Sequence, residues 1–293
     1  MEIGVTFPQT EIGSDPAVIR DYAQTAESLG FQHLLAYDHV IGADTSTRPD
    51  WGGRYTIEAA FHEPFVLFAY LGALTTTLEF VTGILILPQR QTVLVAKKAA
   101  SLDVLTGGRL RLGIGIGWND VEFESLNEDF HNRGRRVEEQ FQVLRRLWTE
   151  PVVDFEGKWH HIDRAGINPM PVQQPIPLIM GGLNEKVLER AARIADGWFP
   201  ILFRPEDIAA FPERVAKLKE TVRKAGRNPD EFEIRVQTNY HNKTPDDWAK
   251  DIETFRNAGV DYLCVNTMGG GLAGREHIDA ITKYMQSVGQ VAR

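Results

Sequence analysis

The chain has 293 residues, a net charge of −8 at pH 7 and 43% hydrophobic content. That length fits one α/β barrel, and an acidic balance with no Lys/Arg cluster argues against a nucleic-acid partner. The single cysteine, Cys264, excludes an internal disulfide, and with neither an apolar leader nor a membrane-length apolar run the expectation is a cytoplasmic protein with no membrane partner.

Strand-like and helix-like patterns alternate along the chain. EIGVTF opens as a strand. DPAVIRDYAQTAESLG reads as a helix, with Asp15 as N-cap, Pro16 at its first position and Gly30 as its stop. FQHLLAYDHV is a second strand, followed by a long polar and aromatic loop from about Ile41 to Glu63. PFVLFAYLGALTTT is helical, LEFVTGILIL is a third strand, and TVLVAKKAASLDVLTGG is a helix ending on Gly107. RLRLGIGIG is a fourth strand, and WNDVEFESLNEDFHNR a second long loop in which Glu122 and Glu124 read as a solvated acidic segment beside Trp118.

GRRVEEQFQVLRRLWTE is a helix. An insertion over 151–175 then breaks the rhythm: VVDFEGKWHHI has turn chemistry at Glu156-Gly157 and reads as a small hairpin. Four more strand–helix pairs follow, with strands PLIMGG, GWFPIL, FEIRVQTN and VDYLCVNT. Eight such units imply a parallel sheet closed as a (β/α)8 TIM barrel, one domain over 1–293. An open doubly wound sheet is disfavoured, because TFPQTEIGSDP stands where a Gly-rich phosphate turn would follow the first strand.

A TIM barrel carries its chemistry at the C-terminal ends of its strands. Those ends are Pro8-Gln9, Tyr37-Asp38-His39, the stretch from Gly83 to Pro88, Gly117-Trp118-Asn119, Met180-Gly181-Gly182, Trp198-Phe199, Gln237-Thr238-Asn239 and Asn266-Thr267. The ring is rich in glycine, aromatics and amides, and suits a large flat ligand. Asp38-His39 is its most reactive pair: His39 as proton donor or acceptor, Asp38 as a ligand-binding group, or both as partners of the local backbone. Gly181-Gly182 before a helix offers backbone N–H groups to an anion, or is a tight turn that binds nothing. No histidine pair has metal-ligand spacing, and no metal is expected. Arg48, Trp51, Arg54 and Tyr55 in the first long loop are candidates to meet a substrate. Glycine weakens a strand, so Gly113, Gly115 and Gly117 mark the close approach of something else.

Taken together, YDHV, TGILILPQRQTVLVAKKAASLDVLTGGRLRLGIGIGWNDVEFE, RGRRVEEQFQVLRRLW, PVQQPIPLIMGG and ADGWFP resemble the bacterial luciferase-like family of flavin and deazaflavin enzymes. The GWNDVEFE form is most similar to its branch of coenzyme F420-dependent oxidoreductases. The resemblance implies a ring cofactor, F420 or alternatively FMN, at the strand ends. It implies a non-prolyl cis peptide within Thr82-Gly83-Ile84, and places Asp38 and His39 beside the cofactor, with His39 in proton transfer. It seats the cofactor phosphate on Gly181 and Gly182, with Gly115, Gly117, Trp118, Met180 and Trp198 also lining the seat. Gly117 would let the ring or its ribityl chain approach the backbone. Some F420-dependent relatives have a glutamate directly after the strand-four glycine, where this chain has Trp118. Relatives often form homodimers. The function this implies is hydride transfer to or from a small organic substrate. An oxygen-using FMN monooxygenase and a non-catalytic flavin-binding barrel are the alternatives.

Overall fold

The computed structural model describes residues 1–53, 55–202 and 205–292; Arg54 of the first long loop lies outside them. In chain order the elements are β1 (Glu2–Thr6), α1 (Pro16–Ser28), β2 (His33–Ala36), α2 (Pro64–Gly72), β3 (Glu79–Thr82), β4 (Leu85–Ile86), α3 (Thr92–Thr106), β5 (Leu110–Gly115), α4 (Asp120–Ser125) and α5 (Arg133–Thr149). Then come β6 (Val153–Glu156), β7 (His161–Ala165), β8 (Leu178–Gly181), α6 (Glu185–Ile194), β9 (Gly197–Phe199), α7 (Pro205–Ala209), α8 (Phe211–Lys224), β10 (Glu233–Asn239), α9 (Pro245–Asn257), β11 (Tyr262–Asn266) and α10 (Glu276–Ala292).

Strands pair in parallel in the order β1, β2, β3, β5, β8, β9, β10, β11, and β11 returns to β1. This is the closed eight-strand barrel expected. β4 continues the third strand position after a break and pairs with β5 through Leu85 and Ile86. β6 and β7 form the antiparallel hairpin of the insertion. The helix boundaries follow their signals: Asp15 Oδ1 accepts from the Ala17 N–H at 2.9 Å, and Gly107 ends α3 at φ +69°.

Side chains alternate across each strand. Leu110, Leu112 and Ile114 of β5 join the large apolar layer under the helices, which leaves Arg111, Gly113 and Gly115 facing the barrel axis. A second, smaller cluster of Leu35, Val81, Ile179, Phe199 and Cys264 fills that axis. Below it, Arg111 and Arg235 bridge Glu79 and Glu233.

Three sequence expectations change. LEFVTGILIL is two strands, because the chain breaks at Gly83–Ile84. The loop after β5 contains α4, capped by Asn119 Oδ1 on the Val121 N–H. The helix after the sixth barrel strand is split into α7 and α8.

Candidate active site

The non-prolyl cis peptide falls at Gly83–Ile84. It delivers the Ile84 side chain over the axial cluster at the C-terminal end of the barrel. The strand-four glycines exist for this chain's own residues. A Cβ on Gly115 would collide with Ile84 Cδ1, and one on Gly113 with the Thr82 carbonyl oxygen. A Cβ on Gly181 would lie 2.6 Å from Ile84 Cγ2. Gly117, at φ +77°, is closed in by Ile86 and Phe123. What lies against Gly113 and Gly115 here is the broken third strand, and Gly117 is closed in by Ile86 and by Phe123 of α4. Thr82 itself donates its hydroxyl to the Gly113 carbonyl at 2.8 Å.

Asp38 and His39 leave β2 in different directions. Asp38 is 3% exposed. Its Oδ2 accepts from the Ile86 N–H at 3.0 Å and its Oδ1 from Arg90 at 2.7 Å; Arg90 also donates to Glu63. Burial raises the Asp38 carboxyl above its ordinary value, and Arg90 pulls the other way. Asp38 therefore pins β4 beside Ile84, with both carboxylate oxygens bonded within the chain. His39 turns to the first long loop. Its ring lies 4.8 Å from Tyr55, 4.9 Å from Phe61 and 5.6 Å from Trp118, centroid to centroid. Its Nδ1 is 3.0 Å from Glu122 Oε2. Glu122, read as solvated, is fully buried: an acidic run hides one member that α4 turns inward. Trp118, 44% exposed, stands at the rim against His39 and Trp51.

Met180 and Trp198 are directed away from the barrel mouth. Both are fully buried in the layer between sheet and helices, where Trp198 stacks on Phe211. Trp198 Nε1 donates to the Gly182 carbonyl at 2.7 Å, and the Gly182 N–H donates to the Phe199 carbonyl at 3.2 Å. Gly182 is held as a strand–helix turn, with its N–H and its carbonyl both bonded within the chain.

Tyr37 packs on the same axial cluster as Ile84, and it joins polar groups at neighbouring strand ends. The Tyr37 hydroxyl donates to Gln237 Oε1 at 2.9 Å and accepts from Gln237 Nε2 at 2.7 Å, and Gln9 Nε2 donates to the Tyr37 carbonyl at 2.8 Å. Several buried polar atoms at strand ends have no partner: Thr6 Oγ1, Gln9 Oε1, both amide atoms of Gln89, and Asn119 Nδ2. Buried polar atoms are normally paired. An apolar floor under unpaired donors and acceptors fits a flat ring with a hydrogen-bonding edge. Beneath the floor, Cys264 Sγ lies 3.0 Å from His33 Nε2. Burial pushes the thiol up to about 12 and holds the imidazole well below its ordinary value, so the pair supplies no thiolate. Among the described residues no group of three or more His, Cys, Asp or Glu is placed to hold a metal, and no helix is long and apolar enough to cross a membrane.

A cleft of about 720 Å³ opens between the first long loop and α4, lined by Arg48, Trp51, Asp120, Phe123 and Phe130 among others. It lies outside the ring of strand ends, on the far side of Trp51 from His39.

The architecture is a closed parallel barrel with an apolar floor at its mouth and a histidine–carboxylate pair beside it. The chain belongs to the luciferase-like monooxygenase family, whose model matches residues 1–276. It is 34% identical over 235 residues to an uncharacterized protein of Mycobacterium tuberculosis, covering 78% of this chain and 80% of that protein. It is 32% identical over 183 residues to an FMNH2-dependent dimethylsulfone monooxygenase of Pseudomonas fluorescens, covering 61% of this chain and 46% of that enzyme. In fold it is similar to an F420-dependent secondary alcohol dehydrogenase solved with an F420–acetone adduct, with a TM-score of 0.79, 18% identity and 98% of each chain covered.

Proposed function

We infer that this chain is an F420-dependent oxidoreductase that moves a hydride to or from a small organic substrate, with His39 handling the accompanying proton. The observation that carries the reading is the His39–Glu122 pair at 3.0 Å, at the end of β2 beside the barrel mouth. A hydride moved to or from a carbon–oxygen or activated carbon–carbon bond leaves one proton to be delivered or removed, and a positioned imidazole does that work. The deazaflavin, when bound, supplies the hydride chemistry. The residues of this chain hold and orient: Ile84 and the axial cluster under one ring face, Tyr37, Gln237, the unpaired Gln9 Oε1 and the unpaired Gln89 amide toward polar edges. Tyr55, Phe61 and Trp118 keep water from His39.

Similarity to an FMNH2-dependent enzyme favours FMN as the second reading. Side-by-side titration with F420 and FMN, each oxidised and reduced, tests the choice. Micromolar F420 binding with weaker FMN binding is the expected result. Micromolar FMN binding with no detectable F420 binding reverses it.

A further inference from the structure

The carboxylate of Glu122 makes three contacts on two oxygens. Oε2 faces His39 Nδ1 at 3.0 Å. Oε1 accepts from the Val40 N–H at 2.6 Å and from the Ile41 N–H at 3.4 Å. The side chain is fully buried, so no water competes for these positions. Its place is set by local structure: the chain leaves β5 through Gly117, Asn119 caps α4, and Phe123 packs against Gly117. Glu122 thus arrives one residue before the anchor of its own helix, pointing at the end of β2.

Both backbone groups on Oε1 are obligate donors. With Oε1 taking the amide hydrogens of Val40 and Ile41, Oε2 is the oxygen left for His39, and as an ionised carboxylate oxygen it accepts from a hydrogen on Nδ1. The second ring nitrogen, Nε2, then carries the lone pair in the neutral ring. Among the described residues the ring also meets Tyr55, Phe61 and Trp118, and the adjacent Asp38 bonds to Ile86 and Arg90. Glu122 is the one carboxylate with a hydrogen bond to His39 among the described residues.

We propose that Glu122 is a positioning residue that fixes His39 as its Nδ1–H tautomer and so presents Nε2 as the working nitrogen of the site. The proposal rests on the reading of His39 as the proton-handling group, and it assigns to a helix in the loop after β5 a role that the residue directly following the strand, Trp118, cannot fill. The tautomer is set by the hydrogen bond at the other nitrogen. Loss of the correct tautomer in a serine protease, where the orienting carboxylate becomes an amide, costs about 10⁴ in turnover.

The substitution Glu122→Gln isolates this role from packing. The amide oxygen can keep the Val40 N–H, because the reverse orientation would set an NH2 group against two backbone N–H donors. The NH2 group then faces His39 Nδ1 and donates to it, which moves the ring hydrogen to Nε2. The test is long-range ¹H–¹⁵N correlation on ¹⁵N-histidine-labelled protein, without cofactor, at a pH where free imidazole is neutral. The variant His39→Gln identifies the His39 signals. The expected result is Nδ1–H in the wild type and Nε2–H in the folded Glu122→Gln variant, with turnover down by about 10²–10⁴-fold and cofactor affinity within several-fold. A wild-type His39 protonated at Nε2 overturns the proposal, and so does an unchanged tautomer in folded Glu122→Gln. The wild-type measurement decides alone if the variant does not fold. Because the tautomer is read without cofactor, its failure is distinct from a failure of the F420 assignment, which the titration reads.

Discussion

Ile84 is where single residues decide the site. Its side chain occupies the volume that side chains at Gly115 and Gly181 would take, so the floor of the mouth is one isoleucine resting on two glycines. Gly115→Ala must push Ile84 upward or sideways. Overpacking of this kind costs about 1–3 kcal/mol, and cofactor affinity should fall at least tenfold while the barrel still folds. Adding Ile84→Ala should recover much of the lost stability, because the two residues share one space. Denaturant midpoints of the two single variants and the double variant measure this coupling; additive losses would separate the residues. His39 gives a second prediction at this scale. His39→Ala should lower turnover by about 10²–10⁴-fold and leave cofactor affinity within several-fold, whereas a merely structural histidine would lose melting temperature and keep turnover. The Asp38-His39 pair was legible because strand ends are predictable from the βα rhythm. Their separate duties were not, since Asp38 answers to Ile86 and Arg90, 48 and 52 residues away. Glu122 was illegible for a related reason: in an acidic run nothing local tells which carboxylate turns inward.

Elements were read from periodicity and caps, and the errors fall where those signals are weak. β3 and β4 share one continuous apolar string, so the break between them leaves no mark on the pattern. α4 has six residues, too short for a helical period to show. The β6–β7 hairpin was legible from its Glu156-Gly157 turn, but its attachment was not. One carboxylate on α5 carries it: Glu139 accepts from the backbone N–H groups of Lys158, Trp159 and His160 and from His160 Nδ1, all at 2.7–2.8 Å. His160 Nε2 in turn meets Thr92 Oγ1 of α3 at 2.6 Å. Burial raises the Glu139 carboxyl, but the hydrogen bonds from His160, Trp159 and Lys158 outweigh it and hold the group below its ordinary value. A depressed folded value gives stability that is present above the unfolded carboxyl value and is lost as pH falls through the folded one. Glu139→Gln should therefore lower the melting temperature at pH 7, and the gap to the wild type should narrow as pH drops below about 4. Proteolysis within 156–161 should rise in the variant. A gap that stays constant from pH 7 to pH 3 would show that the charge of Glu139 does not hold the hairpin.

At the scale of the whole molecule, the barrel separates stability from chemistry along its axis. Eight strand–helix units were legible from alternation alone, and their closure follows from the number of units. The contents of the axis were not legible, because inward and outward positions are both apolar along much of a parallel strand. The C-terminal end holds Ile84, His39 and the polar ring. The N-terminal end holds an ionic cluster in which Arg111 contacts Glu79 at 2.5 Å and Glu233 at 2.8 Å, while Arg235 contacts both carboxylates at 3.0 Å. The Arg235 guanidinium also lies 3.6 Å from the Tyr262 ring centroid. These contacts join β3, β5, β10 and β11 across the axis. Arg235 is 2% exposed, so Arg235→Ala removes one of two cations that balance two largely enclosed carboxylates and opens a space under Cys264. Breaking a buried ion pair from one side costs about 3–5 kcal/mol. Arg235→Ala should lose that much in denaturant unfolding, and the protein that remains folded should bind cofactor as the wild type does, since none of the groups at the mouth contacts Arg235. Wild-type stability in Arg235→Ala would show that the cluster is not what holds the closed end together. An unchanged stability loss at high salt is also expected, because screening acts weakly on charges shielded from solvent.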